Sequence, residues 1–333
     1  MGGQNMIYEN ALELIGNTPV VKLKHLVQSE NSELFVKLEG FNPGGSSKDR
    51  VAKRIIEFAE KNGQLKPNGT IVESSSGNLA IGLAMVAKMK GYKMICVVDP
   101  KISKVNLNLI KAFGAQVHMV EKADEHGNYL KTRLATAQLL ERTIEGAYWP
   151  NQYNNPENPR AYMESLAREI HSDFQDTLDW IVCPVGTAGL ITGVAAEMKK
   201  LSPSVKILAV DAVGSVIFGG QPGPRRLLGI GNAIVPGNLD KSLYDDVSYV
   251  NDADAFYITR QLVLQEGLLV GGSSGAAVCA ALRLLDDLAE GQRVLAILPD
   301  RGDRYYSTIF SDEWMSQHDI TLPTSIYKSI SIN

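Results

Sequence analysis

Lys48 stands in the stretch NPGGSSKDR, residues 42–50, between an apolar run suited to a strand and an amphipathic stretch suited to a helix. Gly44 and Gly45 allow a tight turn, and a lysine that opens a helix faces peptide dipoles that disfavour its positive charge. The neutral amine favoured in this way is the form that condenses with an aldehyde carbonyl. A surface lysine after an ordinary turn would carry the same letters. A nucleotide-gripping P-loop would not, because Ser46 follows Gly45 and the lysine comes two places late.

Four more turns carry chemistry-bearing residues, three at the start of a helical pattern and one at the end of a strand. In SSSGNLAIGLA, residues 74–84, hydroxyls and backbone amides at a helix start suit a carboxylate or phosphate, and Asn78 adds an amide. A plain helix cap would use only one of these groups. In VGTAGLITG, residues 185–193, glycines and Thr187 suit a monophosphate; the spacing is not the GxGxxG of a dinucleotide site, and a tight packing turn reads equally well. GGSSGAA, residues 271–277, precedes another helix, and LPDRGDRY, residues 298–305, follows a late strand. A serine or carboxylate at a strand's carboxyl end can meet a ring nitrogen in the crevice where parallel α/β sheets bind ligands.

The positioning elements follow from periodicity. Leu34–Leu38, Thr70–Glu73, Lys93–Val98, Gln116–Met119, Trp180–Cys183, Lys206–Val210 and Val294–Leu298 are short apolar runs expected as buried strands. Ile81–Lys90, Ser103–Phe113, Leu130–Glu141, Gly189–Lys200, Ala253–Glu266 and Gly275–Leu288 repeat apolar residues at helical spacing. The alternation predicts an α/β fold with two three-layer domains built on mostly parallel, twisted sheets. The Asn/Pro-rich stretch from Asn151 to Pro159 marks a boundary. The expected partition is a smaller mobile domain at 47–155, a larger phosphate-binding domain at 1–46 plus 156–320, and a peripheral tail at 321–333.

With 333 residues, 44% hydrophobic, the chain can bury a sizeable core, and a net charge of −4 gives no basic field for nucleic acid or an anionic membrane. Small molecules are the expected partners. Cys96, Cys183 and Cys279 are widely spaced in apolar surroundings and five histidines form no HExxH, so neither disulfides nor a metal site is indicated. No signal-peptide pattern or spanning apolar run is present, and a cytoplasmic location is expected.

The segments IGNTP at 15–19, NPGGSSKDR, SSGN at 75–78, NQYNNPEN at 151–158, GTAGLITG at 186–193, GIG at 229–231, GGSSGAA and LPDRGDRY occur in order. Together, over nearly the whole chain, they resemble the fold-type II pyridoxal-phosphate enzymes of the cysteine synthase and cystathionine β-synthase group, similar to tryptophan synthase β. The resemblance implies pyridoxal 5'-phosphate as cofactor, a homodimer of two-domain subunits, and β-replacement on an activated serine through an α-aminoacrylate. VVDPKIS at 97–103, the HGxYLxTR pattern within 124–133, GSVIFG at 214–219 and LPDRGDRY resemble the phosphoserine-using branch. That branch makes N-(2-amino-2-carboxyethyl)-L-glutamate for diaminopropionate and siderophore biosynthesis.

Carried over by position, Lys48 would hold the cofactor and move the substrate α-proton, and Asn78 would bond the cofactor's ring oxygen. Ser75, Ser76, Asn78 and Gln152 would hold the amino-acid carboxylate, and Gly186, Thr187, Ala188 and Gly189 the cofactor phosphate. Ser273 is preferred for the pyridine nitrogen, with Asp300 as alternative. Arg133 would grip a glutamate nucleophile, with Tyr153 a further contact, while Arg225, Arg226, Arg301, Arg304 and Lys101 are candidates for a leaving phosphate. The sequence departs from the family at Leu190, where a threonine or serine is usual, at Gly186 and Ala188, where the phosphoserine branch has serine and threonine, and at LAREI, 166–170, where cysteine synthases read TGPEI. Sulfide, giving cysteine, is the alternative nucleophile, with cysteate synthesis and cysteine breakdown as further variants. An inactive regulatory homologue is the alternative outside enzymes.

Overall fold

The computed structural model describes residues 7–27, 32–124, 127 and 129–325. The strands are β1 (Val20–Lys22), β2 (Glu33–Leu38), β3 (Thr70–Ser74), β4 (Lys93–Val98), β5 (Gln116–Met119), β6 (Ala147–Tyr148), β7 (Trp180–Pro184), β8 (Lys206–Ala212), β9 (Asp246–Val250) and β10 (Arg293–Leu298). The helices are α1 (Lys48–Lys61), α2 (Asn78–Lys90), α3 (Lys104–Ala112), α4 (Tyr129–Thr143), α5 (Glu157–Met163), α6 (Leu166–Phe174), α7 (Gly189–Leu201), α8 (Asp252–Glu266), α9 (Gly272–Asp287) and α10 (Asp312–Gln317). The chain divides into two compact units, residues 1–17 with 41–151 and residues 18–40 with 152–333.

The first unit is a four-stranded sheet in the order β5-β4-β3-β6 with every pairing parallel. β3 is buried along its whole length, as a central parallel strand covered on both faces must be. α1 buries Val51, Ala52, Ile55, Ile56 and Ala59, a stripe at helical spacing. α2 is buried almost all round, from Leu79 to Ala87, and ends on Gly91 in the left-handed conformation. The two helices meet where Gly82 lies: a Cβ there would sit 3.2 Å from the Lys48 carbonyl and 3.3 Å from Ala52 Cβ. A side chain at 82 would push the Lys48 end of α1 away.

The second unit is a six-stranded sheet, β1-β2-β10-β7-β8-β9, parallel except for the antiparallel β1–β2 edge. β7 is wholly buried, and α9 packs across β7, β8, β9 and β10. The core joins the inward residues of these strands to Ala276–Leu282 of α9 and to Phe256 and Leu262 of α8. Of the expected tail, residues 321–325 are described: Leu322 packs against this core and the Thr324 carbonyl accepts the Tyr257 hydroxyl at 3.0 Å. The architecture is the expected α/β class with mainly parallel sheets. Among the described residues no helix is long and apolar enough to cross a membrane, and no cluster of three acidic, histidine or cysteine residues could hold a metal ion.

Candidate active site

Within the first unit the lysine turn is closely determined. The Gly45 amide bonds the Asn42 carbonyl at 2.8 Å, and Asn42 Oδ1 accepts the Gly16 amide at 2.8 Å, tying IGNTP to the turn. The Gly44 amide donates to Asp49 Oδ2 at 2.6 Å, and a Cβ on Gly44 would lie 2.4 Å from Asp49 Oδ1. Glycine at 44 is therefore a requirement of the buried carboxylate that closes the turn. Lys48 is half-buried and is the first residue of α1, its amide 3.3 Å from Ser46 Oγ.

The hydroxyl loop leaves β3 and enters α2 at Asn78. Ser75 is buried, and Gly77, the residue before α2, has no side chain with which to cap the helix's first amides. Ser76 is held from two sides: its carbonyl accepts Asn106 Nδ2 at 3.0 Å and its Oγ accepts Arg133 Nη1 at 2.7 Å. Arg133 Nε pairs with Asp99 Oδ2 at 3.2 Å, and Asp99 Oδ1 accepts the Lys101 amide at 2.9 Å. Of the HGxYLxTR pattern, His126 and Asn128 lie outside the described residues.

In the second unit the turn after β7 is built for close approach. Ala188 adopts φ 61°, ψ −6°, a left-handed conformation that costs about 1–2 kcal/mol in a residue with a Cβ. It caps α7 with no side-chain hydrogen bond, so the helix's first amides are available to an anion. A Cβ on Gly186 would lie 2.7 Å from the Gly229 carbonyl, and one on Gly189 would lie 1.9 Å from Asn158 Oδ1. Thr187 is half-buried and its Oγ1 accepts Asn158 Nδ2 at 3.2 Å. This strained, glycine-lined turn with uncapped amides fits a phosphomonoester, the group by which pyridoxal phosphate is held. The missing hydroxyl at Leu190, which is 5% exposed, is matched by inward packing of that side chain.

The GIG segment braces the same turn: Gly231 N bonds the Val185 carbonyl at 2.8 Å and Asn232 Nδ2 reaches the Gly186 carbonyl at 3.4 Å. A Cβ on Gly229 would stand 3.9 Å from Ser273 Oγ, which brings the buried Ser273, in the first turn of α9, to this end of the sheet. Asp300 follows β10 and is buried; its Oδ2 accepts the Tyr305 hydroxyl at 2.6 Å, and its Oδ1 would be 2.1 Å from a Cβ on Gly271. Burial, and then the Asp300 carboxylate, push the Tyr305 phenol well above its ordinary value. Gln152 is buried, with its carbonyl accepting Asn158 Nδ2 at 2.7 Å and Asn238 Nδ2 at 2.8 Å, and the Tyr153 carbonyl accepts the Asn238 amide at 3.1 Å.

The structure thus brings Ser75, Ser76, Asn78 and Arg133 together in one unit, and Gln152, Thr187, Gly186, Gly189 and Ser273 around neighbouring turns in the other. The leaving-phosphate candidates scatter: Arg301 pairs with Asp303, Arg225 Nη1 bonds the Gly214 carbonyl at 3.3 Å, and Arg226 is exposed. Asp99, Asn106, Asn158 and Asn238 are contacts that spacing alone does not single out, although Asn158 closes the NQYNNPEN segment.

A family model described as pyridoxal-phosphate dependent enzyme matches residues 11–300. The chain belongs to that family, and its cofactor is pyridoxal phosphate. Among solved structures, an O-ureido-L-serine synthase is 36% identical over 93% of this chain and 99% of that one, with a TM-score of 0.85. An O-acetylserine dependent cystathionine β-synthase from Helicobacter pylori is 36% identical over 91% and 98%, TM-score 0.84. A hydrogen sulfide-producing enzyme from Fusobacterium nucleatum is 35% identical over 91% and 100%, TM-score 0.86.

Proposed function

We propose that this chain replaces the β-substituent of an activated L-serine, O-phospho-L-serine by preference, with the amine of L-glutamate, giving N-(2-amino-2-carboxyethyl)-L-glutamate and phosphate. Two of the similar structures are named for serine derivatives, which supports β-replacement. The observation that carries the glutamate reading is the half-buried Arg133, whose guanidinium lies against the Ser76 hydroxyl at 2.7 Å. It stands beside the loop assigned to the amino-acid carboxylate, and a guanidinium suits a second substrate acid.

Bound pyridoxal phosphate supplies the electron sink for the pair left when the α-proton departs. Gly186, Thr187, Ala188 and Gly189 hold its phosphate through backbone amides, Asn78 its ring oxygen, and Ser273, or in its place Asp300, its ring nitrogen. Ser75, Ser76 and Gln152 orient the substrate carboxylate. Lys48 Nζ takes the α-proton and the phosphate leaves with its bonding pair. The glutamate amine then forms the new bond to the β-carbon and releases a proton, and Lys48 returns a proton to the α-carbon.

The test is product identification by mass spectrometry after the loaded enzyme is given O-phosphoserine or O-acetylserine, each with glutamate or sulfide. The conjugate from O-phosphoserine and glutamate is expected as the main product. Cysteine alone, formed from O-acetylserine and sulfide, would replace this reading with cysteine synthesis.

A further inference from the structure

Asn158, in the first turn of α5, is 1% exposed and touches two turns given different tasks above. Its Nδ2 donates to the Gln152 carbonyl at 2.7 Å and to Thr187 Oγ1 at 3.2 Å, while its Oδ1 is buried with no hydrogen-bond partner. A side chain kept only for packing would be better apolar, since an unsatisfied buried acceptor is costly. The two donated bonds are what the amide provides. The surroundings are shaped to admit it: a Cβ on Gly189 would lie 1.9 Å from Asn158 Oδ1, and one on Gly193 would lie 2.1 Å from the Pro159 carbonyl. Both glycines let α7 press directly on α5. Asn238 supplies a second strap, its Nδ2 donating to the same Gln152 carbonyl at 2.8 Å and its carbonyl accepting Thr192 Oγ1 of α7 at 2.8 Å.

We infer that Asn158 is a positioning residue that ties the amino-acid loop at Gln152 to the phosphate turn at Thr187, so that cofactor and substrate binding respond together to its loss. The inference rests on the roles proposed above for Gln152 and Thr187. Asn158 acts through these neighbours, its Nδ2 being committed to both of them. Asn238 fixes only the Gln152 end through its side chain.

The experiment measures two quantities for each variant: the pyridoxal-phosphate dissociation constant, from cofactor retained by the holoenzyme on serial dilution, and KM against kcat for whichever serine ester the enzyme consumes. Asn158→Ala should weaken cofactor retention and raise KM, each about tenfold, the scale of one lost hydrogen bond at a desolvated position, with a smaller change in kcat. Asn158→Asp keeps the volume but removes the donor, and should follow Asn158→Ala; wild-type values in it would overturn the inference by assigning the effect to volume. Asn238→Ala should raise KM alone, and it keeps the inference testable if Asn158→Ala fails to fold; unchanged KM in Asn238→Ala would count against the clamp. A change in only one quantity for Asn158→Ala, or a lowered melting temperature with both unchanged, would also overturn it. Thr187→Ala and Gln152→Ala separate the two levels. If Thr187→Ala leaves cofactor retention intact and Gln152→Ala leaves KM intact, the proposed roles fail; if these two behave and Asn158→Ala does not, the inference fails.

Discussion

Single residues carry the chemistry, and their partners decide what truncation does. Lys48 sits on a turn fixed by Asn42, Gly44 and Asp49, so Lys48→Ala should leave the fold intact while lowering turnover roughly 10²–10⁴-fold, the scale of a positioned acid–base group. Steady-state rates together with an unchanged melting temperature would check this. Arg133→Ala removes both the candidate grip on glutamate and the brace on Ser76. KM for glutamate should rise about 10–100-fold, as expected for a lost charge-assisted hydrogen bond, and KM for O-phosphoserine by less. An equal rise for both substrates would make Arg133 a brace alone. The lysine turn is legible in the sequence because glycine at 44 answers a demand made by the nearby Asp49, whereas the demands at Gly186 and Gly189 come from Gly229 and Asn158, distant along the chain. The bonds from Asn158 to Thr187 and from Asn238 to Gln152 join residues 29 and 86 positions apart, and no local pattern encodes them.

At the scale of elements, helices whose N-termini face the turns must be held by packing. α7 reaches α5 because Gly189 and Gly193 have no side chains, and at Gly193 the nearest obstacle is backbone, the Pro159 carbonyl at 2.1 Å. Gly193→Ala should therefore destabilise the protein by about 1–3 kcal/mol through overpacking, measured by denaturant unfolding, with loosened cofactor retention as a secondary effect. Central strands such as β3 and β7 are legible because burial on both faces leaves continuous apolar runs. β1, β6 and β9 are not: two have three residues or fewer, and β9, Asp246–Val250, is a half-exposed edge with polar residues in it. α5 has seven residues, follows Pro156 and contains Pro159, so its letters read as loop although it positions Asn158.

At the scale of the whole molecule, burial of titratable groups sets the alkaline limit. Cys96, Cys183 and Cys279 are buried free thiols, and desolvation raises all three above the ordinary value of 9.0, Cys279 to about 12. Unfolded thiols lose their protons near that ordinary value while the folded ones keep them. The unfolded state then binds fewer protons, so stability falls as pH rises from about 9 toward 12, with Tyr305 adding to the loss above its ordinary value of 10.0. Melting temperature against pH should show this decline, and Cys183→Ala should flatten it.

The most direct measurement is inorganic phosphate released from O-phospho-L-serine by the cofactor-loaded protein, with and without L-glutamate, set against the conjugate formed. Phosphate release that depends on glutamate and equals the amount of N-(2-amino-2-carboxyethyl)-L-glutamate is the predicted result. No phosphate from O-phosphoserine, while O-acetylserine and sulfide are consumed, would contradict it.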